Sequence, residues 1–292
     1  MASVNPSISS YLSDGVGSII WTTAFAPMNR VKLLIQSQNV LIKQGSLTKK
    51  YEGIINCFVR TTRNEGIVAL WRGNSADIIK FFPTWAMNHA LKEKLNTVFG
   101  VRKKKGFWYW IAGNLASEVL LCNATLAFVY PLDYAATRLA NDVASASGER
   151  KFKGLFDVYA STLTSSGFTG LYRGFGPFAL GLTVFRCLHF GLHGTVRSFV
   201  MVAPREESFY PSFLISWAIT TAATAFCYPF DTISRRMMMN SGEGTRYKNG
   251  SECFKRIIAA EGVGSLFRGC GARMLIAVTN AMLISLLHTA IS

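Results

Sequence analysis

The chain repeats one unit three times, and this repeat restricts the possible folds more than any other feature of the sequence. Each unit starts with an apolar stretch that carries a proline in roughly its last third, at Pro27, Pro131 and Pro229. Downstream, each unit carries an aromatic residue closely followed by glycine, and then an aromatic–arginine–glycine triplet. The period is roughly 100 residues, which indicates a repeat architecture. The triplets are residues 71–73, 172–174 and 267–269.

Two long apolar stretches occur in each unit, which makes six in the chain. A membrane-spanning helix needs about 20 predominantly apolar residues, and half of this chain is apolar while 16% is charged. We therefore predict an all-α membrane protein in which six transmembrane helices form three pseudo-symmetric repeats, with short helices in their loops. One domain over residues 1–292 would hold repeats at approximately 8–99, 106–200 and 209–291. The apolar stretches are roughly 8–37, 75–97, 108–142, 175–199, 211–239 and 271–291.

The recurring prolines and glycines each have a physical consequence. A proline within a helix removes a backbone donor and bends the helix, so three bent helices can converge and close a cavity at one end. The glycine of each triplet leaves a backbone N–H uncovered near a helix start, where the phosphate of an anionic lipid can bind. We predict lipid contacts at Gly53, Arg72, Gly73, Gly154, Arg173, Gly174, Gly250, Arg268 and Gly269.

The formal net charge of +15 lies mostly in the connections between the apolar stretches. Such a surplus suits anionic lipid head groups and anionic solutes. Nucleic acid binding is not expected, because no basic helix or stacking motif separates itself from the apolar stretches. Enzymatic activity is not expected either, because no nucleophile, base and orienting group recur at a usable spacing. The six cysteines form no Cys-x-x-Cys pair, which predicts buried free thiols and no metal site.

These motifs resemble those of the mitochondrial carrier family, whose repeat reads Pro-x-acid-x-x-base, then acid-Gly and aromatic-base-Gly. Within that family the sequence is most similar to the ADP/ATP carriers, above all in the Arg-Arg-Met-Met-Met run at residues 235–239. The resemblance implies a six-helix barrel in the mitochondrial inner membrane, with both termini toward the intermembrane space. It also implies that adenine nucleotides are exchanged at a central site by alternating access between two gates. We expect bound cardiolipin and no other cofactor.

The resemblance implies a matrix gate, in which the acid after each proline pairs with a base from a neighbouring repeat. Here Lys32 and Asp231 retain one such pair, and Gln36 matches a glutamine that braces the gate. Asp133 retains the acid of the motif in the second repeat, but it has no matching base in a neighbouring repeat. Arg138 is the nearby base that we expect to pair with it. Uncharged residues replace the other acid and bases of this gate, namely Asn29, Ala136 and Ser234.

At the opposite gate the resemblance implies one surviving pair, Glu93 with Arg197. If each partly buried pair contributes about 1–3 kcal/mol, the absence of two of three pairs on each side weakens both closed states considerably. These absences leave a structural role open beside transport.

The resemblance also places nucleotide contacts along the first, second, fourth and sixth spans, and the fifth span adds two arginines. Lys80 and the two adjacent arginines at residues 235–236 would bind phosphates, while an apolar segment of the fourth span would hold the adenine. Thr22 and Ile276 occupy contact positions where the family has cations. The predicted substrate contacts are Lys80, Gly181, Leu182, Phe185, Arg186, Arg235 and Arg236.

Three functions follow from these features. The first is adenine nucleotide exchange, supported by the resemblance over nearly the whole chain. The second is a structural subunit of a larger inner-membrane assembly, such as a respiratory complex, supported by the missing gate pairs. The third is transport of a different anion. Glu118, an acid in the middle of the third span, suggests either a functional role or a simple ion pair.

Overall fold

The structure is a computed structural model that describes residues 8–99, 107–144, 149–200, 209–240 and 247–279. Every regular element in these residues is helical, and the helices follow the three-unit order of the sequence. The predicted all-α fold class is confirmed. The α-helices are α1 (Ile8–Lys43), α2 (Ile54–Glu65), α3 (Asn74–Phe99), α4 (Phe107–Ala140), α5 (Leu155–Ser166), α6 (Phe168–Leu171), α7 (Phe175–Val200), α8 (Phe209–Met239), α9 (Gly250–Glu261) and α10 (270–279). Two short 3₁₀ helices cover Ile67–Trp71 and Val263–Phe267.

The three prolines lie inside α1, α4 and α8, and each helix continues beyond its proline. A proline has no N–H, so the carbonyl four residues earlier loses its helical partner. In the first unit the indole Nε1 of Trp71 donates to that carbonyl, Thr23 O, at 2.8 Å. In the second unit the Tyr172 hydroxyl donates to Ala127 O at 3.0 Å. The aromatic residue of each triplet thus compensates the proline of its own unit, except that Phe267 has no polar hydrogen to donate.

A second contact joins the proline region to the triplet. The residue before the proline is Tyr130 in the second unit, and its hydroxyl donates to Arg173 O at 2.7 Å. In the third unit Tyr228 donates to Arg268 O at 3.0 Å. Ala26 stands at this position in the first unit and has no hydroxyl. The second unit therefore has both contacts, and the first and third have one each.

The triplet glycines join successive units into a ring. A Cβ on Gly73 would lie 2.9 Å from the carbonyl oxygen of Ala136, on the long helix of the second unit. A Cβ on Gly174 would lie 2.6 Å from Ser234 O in the third unit, and one on Gly269 would lie 3.0 Å from Lys32 O in the first. All three have a positive φ of 84–91°. These glycines therefore let backbones approach at each of the three joints between units.

The surface and composition of the long helices bear on the predicted spans. By length and composition, one described helical segment, Ala112–Ala140, is long and apolar enough to cross a membrane. Large apolar side chains are exposed on the outside of the long helices, including Ile20, Phe128 and Phe226. Such exposure is typical of a surface that faces lipid or a partner.

All six cysteines are free thiols, as predicted, although their burial differs. Cys57 and Cys253 are buried on α2 and α9, and burial raises the pKa of each thiol to about 12. Cys187 is exposed on α7. The expectation that all six thiols are buried is therefore wrong, because an outward position on a long helix leaves Cys187 uncovered.

Candidate functional site

A cavity of about 220 Å³ lies where α1, α7, α8 and α10 come together. One wall is apolar and comes from α7, while α1, α8 and α10 contribute charged groups. Its volume is below the roughly 300–1,000 Å³ typical of small-molecule sites, so a whole nucleotide would extend beyond it. The lining residues are Lys32, Phe178, Gly181, Leu182, Phe185, Thr224, Cys227, Tyr228, Asp231, Arg235 and Arg273.

At the end of this cavity, α1 and α8 are joined by an ion pair. Lys32 Nζ lies 2.6 Å from Asp231 Oδ2, the pairing expected from the sequence. Gln36 Nε2 donates to the same carboxylate oxygen at 3.2 Å and to the hydroxyl of Thr232 at 2.9 Å. Gln36 is buried, so the predicted brace lies inside the interface and not at an exposed helix end.

Asp133 has two cationic partners, and Arg138 is not one of them. Lys80 Nζ lies 2.9 Å from one carboxylate oxygen, and Arg235 Nη1 lies 2.7 Å from the other. Arg138 follows Asp133 by five residues, which places it on another side of α4, since helical neighbours are three or four residues apart. Arg138 donates instead to the carbonyl of Met239 at 3.2 Å. The partner expected from the sequence is therefore wrong.

These contacts form one continuous cluster, called here the ion-pair network. Arg235 bridges Asp133 and Asp231, since its Nε lies 3.2 Å from Asp231 Oδ1. Lys80 likewise contacts Asp77 at 2.9 Å. Three cations thus face three carboxylates, so the network is balanced in charge. Its members are Lys32, Asp77, Lys80, Asp133, Asp231 and Arg235.

The network corrects the expectation that only one pair closes this end. Although positions 29, 136 and 234 carry no acid or base, charged side chains from other positions form ion pairs in their place. Lys80 of α3 reaches Asp133 of the next unit, and Arg235 takes the place of a base at Ser234. The signals in the sequence are an acid one helical turn before Lys80 and an arginine directly after Ser234.

Ser234 packs α8 closely against the start of α7. Its side chain is fully buried and its hydroxyl donates to Gly174 O at 2.8 Å, at the start of α7. The hydroxyl of Tyr130 lies 3.4 Å from the same hydroxyl oxygen of Ser234. A small side chain at this position allows the close approach of α8 to Gly174.

Arg236, a predicted phosphate contact, does not line the cavity. Its side chain is buried and forms two hydrogen bonds with Glu261, at 2.7 and 2.8 Å. Burial alone would raise the pKa of Glu261, but the hydrogen bonds and charge of Arg236 hold that pKa below its ordinary value, with help from Asn39 and Arg268. Arg236 therefore fixes α8 to α9 in this conformation and contacts no carboxylate of the network among the described residues.

Arg186 is also engaged. Its Nη1 lies 3.0 Å from Glu118 Oε1, and both side chains are about one third exposed. The acid in the third span therefore has a basic neighbour on α7, which is the simpler of the two explanations for Glu118. A functional role for Glu118 stays a prediction.

The predicted adenine segment lines the cavity through Gly181, Leu182 and Phe185. Gly181 also has a packing constraint, because a Cβ there would lie 2.7 Å from Cβ of Phe230 on α8. The ring of Phe185 stacks on His189 at a centroid distance of 5.7 Å. The segment therefore offers an apolar surface suited to a flat base, while Gly181 allows α7 to pack closely against Phe230 of α8.

Arg273 is the charged cavity residue that sequence reasoning missed. The uncharged lining residues that it also missed are Phe178, Thr224, Cys227 and Tyr228. Arg273 lies on α10, three residues before Ile276, and it lines the cavity while Ile276 is buried. The available signal is an arginine at the edge of the apolar run Met274–Val278.

The predicted lipid contacts lie at helix starts, and their arginines also bind protein groups. Arg72 pairs with Asp142, and Arg173 donates to Tyr247 O at 3.4 Å. Arg268 lies 3.3 Å from Glu261. Gly53 and Gly154 precede α2 and α5, and Gly250 begins α9. Lipid binding at these helix starts stays a prediction.

The opposite gate is only partly described. Glu93 is exposed on α3. The side chain of Arg197 lies outside the described part of the structure, so the pair of Glu93 with Arg197 stays a prediction. Residues 287–290, where the last repeat departs from the family motif, also lie outside the described residues.

Comparison with known proteins finds a family match and relatives over nearly the full length of the chain. The family model for mitochondrial carrier proteins matches residues 3–103, 108–203 and 205–290. The ADP,ATP carrier protein of Kluyveromyces lactis is 50% identical over 278 residues, which cover 94% of this chain and 91% of that protein. ADP,ATP carrier protein 3 of Saccharomyces cerevisiae is 49% identical with the same coverage. The ADP,ATP carrier protein of Neurospora crassa is 48% identical over 96% of this chain and 91% of its own length.

Proposed function

Because the chain belongs to the mitochondrial carrier family, we propose that it exchanges ADP for ATP across the mitochondrial inner membrane by alternating access. Relatives that share about half of its residues over almost its whole length are ADP,ATP carrier proteins. The observation that carries the proposal is the cavity, which combines an apolar wall on α7 with cations on α1, α8 and α10. An adenine nucleotide has the matching chemistry, an apolar base and an anionic end.

The ion-pair network would act as the gate at one end of the cavity. We place this end toward the matrix and both termini toward the intermembrane space, in line with the family resemblance. In the described conformation the network is intact, which in this proposal corresponds to the closed state of the gate. Opening requires Lys32 and Arg235 to leave Asp231 and Asp133. Bound nucleotide would offset that cost by offering its phosphates to the released cations.

The predicted nucleotide contacts differ in whether they are available while the network is closed or only after it opens. Leu182 and Phe185 can hold the base while the network is closed, because they already line the cavity. Lys80 and Arg235 can reach phosphates only as they separate from Asp133. Arg186 would first have to leave Glu118. Arg236 would keep its structural contact with Glu261.

A structural subunit of a respiratory complex is the alternative function. Its support is the absence of matched gate pairs in the sequence, and the ion-pair network supplies replacements for them on one side. No described feature favours such a complex.

Among membrane components, anionic lipids such as cardiolipin remain the proposed ligands of the helix starts near the triplet glycines, which present backbone N–H groups. We expect transport and no enzymatic reaction.

Exchange in liposomes tests the proposed function directly. We expect purified protein to take up labelled ADP only when the vesicles contain ATP or ADP, because in this proposal the network opens only when bound nucleotide offsets its cost. Vesicles loaded with phosphate or malate provide the comparison for another anion. Protein that is folded by circular dichroism, yet shows no nucleotide flux, would refute the proposal.

A further inference from the structure

Arg273 is a cation of the cavity wall that the network leaves unused. Its side chain is exposed on α10 and lines the cavity together with Lys32 and Arg235. Among the residues that the structure describes, no carboxylate forms an ion pair with its guanidinium. A guanidinium presents five donors in a planar fork that matches phosphate oxygens.

The other cations near the cavity are already paired. Each cation of the ion-pair network contacts at least one carboxylate, and the network as a whole is balanced. Arg186 contacts Glu118, and Arg236 contacts Glu261. A phosphate can reach any of these cations only by displacing a carboxylate. Arg273 adds a positive charge that the described carboxylates do not compensate, so it attracts an anion before the gate opens.

The position of Arg273 on α10 also suits this task. Arg273 and Ile276 are three residues apart and so share a face of the helix. At 1.5 Å per residue, Arg273 lies about 4.5 Å nearer the N-terminal end of α10. Ile276 is buried and apolar and cannot bind an anion. The cation of this helix face therefore lies at the level of Lys32 and Asp231, with Leu182 and Phe185 on the same cavity.

We propose that Arg273 binds the phosphate groups of the nucleotide and sets the preference for nucleoside diphosphates and triphosphates over monophosphates. This inference rests on the proposed function, because it assigns one contact within the nucleotide site. Arg273 makes the first phosphate contact while the network is closed. Arg235 and Lys80 join it when their carboxylates are released.

Binding of ADP and AMP to the purified full chain tests this assignment. Arg273→Ala should weaken ADP binding about tenfold or more, since one charge-assisted hydrogen bond is removed. AMP binding should weaken less, so the ratio of ADP to AMP affinity should fall several-fold. Arg273→Lys should keep part of the preference, because the charge remains. Arg63→Ala is the matched control: it removes one exposed arginine from α2, away from the cavity, and should leave both affinities unchanged.

The outcomes separate this inference from the proposed function. If wild-type protein binds and exchanges ADP while Arg273→Ala keeps the same affinity ratio, the assignment of Arg273 is wrong and the proposed function stands. An equal decrease of ADP and AMP binding, accompanied by lower thermal stability without nucleotide, would show a structural role and also overturn the assignment. If wild-type protein neither binds nor exchanges ADP, the proposed function fails and the assignment fails with it.

Discussion

Asp133 contacts cations from two other helices, whereas one of the two cations that contact Asp231 lies on the same helix as Asp231. Asp133→Asn should destabilise the described conformation by up to about 3 kcal/mol, because Arg235 and Lys80 each lose a largely buried partner. Asp77→Asn is the matched control: Asp77 is 30% exposed on the side chain and contacts Lys80 alone, so its removal should cost less than about 1 kcal/mol. Thermal unfolding in detergent measures both. Equal stability of the two variants would argue that Lys80 and Arg235 do not depend on Asp133.

Single residues also show where sequence reasoning reaches its limit. Lys32 and Asp231 occupy the base and acid positions of the proline motif in different repeats, so the family resemblance is sufficient to predict their pairing. Lys80 and Asp133 belong to different motifs, and their contact depends on how closely α3 packs against α4. Arg273 escapes prediction for a similar reason: its position along α10 decides whether it faces the cavity, and no motif marks it.

At the level of elements, the kinked helices differ in how they compensate their prolines. Trp71 and Tyr172 donate to the carbonyls freed by Pro27 and Pro131, whereas Phe267 cannot do so for Pro229. Phe267→Tyr should stabilise the third unit by about 0.5–1.5 kcal/mol, the net contribution of one hydrogen bond. Tyr172→Phe removes the same contact from the second unit and should destabilise the protein by a similar amount. The measurement is again thermal unfolding in detergent. No change in Tyr172→Phe would mean that the carbonyl of Ala127 is satisfied without the hydroxyl.

The freed carbonyls themselves are predictable, because a proline within a helix removes one backbone donor. The donors that compensate them are not, since the same triplet position accepts tryptophan, tyrosine or phenylalanine. Only the three-dimensional arrangement shows that two of these residues use their polar hydrogen and that the third has none.

At the level of the whole molecule, the three units close into a ring through the triplet glycines. Gly174→Ala should destabilise the protein more than Gly167→Ala, although both glycines have a positive φ and belong to the same unit. At Gly167 a Cβ meets nothing within 4 Å, so only backbone strain of about 1–3 kcal/mol is expected. At Gly174 the same strain is joined by a clash with backbone of the next unit. The yield and thermal stability of the two purified variants provide the comparison, and equal values would contradict a joint at Gly174.

The ring and the all-helical class are predictable from the repeat, because three copies of a unit that cannot bury its own apolar faces must pack together. The same reasoning underestimates the number of ion pairs at one end of the cavity. Counting motif pairs treats each replaced motif residue as an absent ion pair, whereas the folded chain supplies Lys80 and Arg235 from neighbouring positions.

Arg235 has a consequence for the order of events at this gate. One guanidinium holds α8 to α4 through Asp133 and, on its own helix, shares Asp231 with Lys32 of α1. When Arg235 moves, the carboxylates of two units lose a counter-ion in the same step. Within the proposed function, we therefore expect opening at this end to be cooperative, because both carboxylates lose a counter-ion when Arg235 moves.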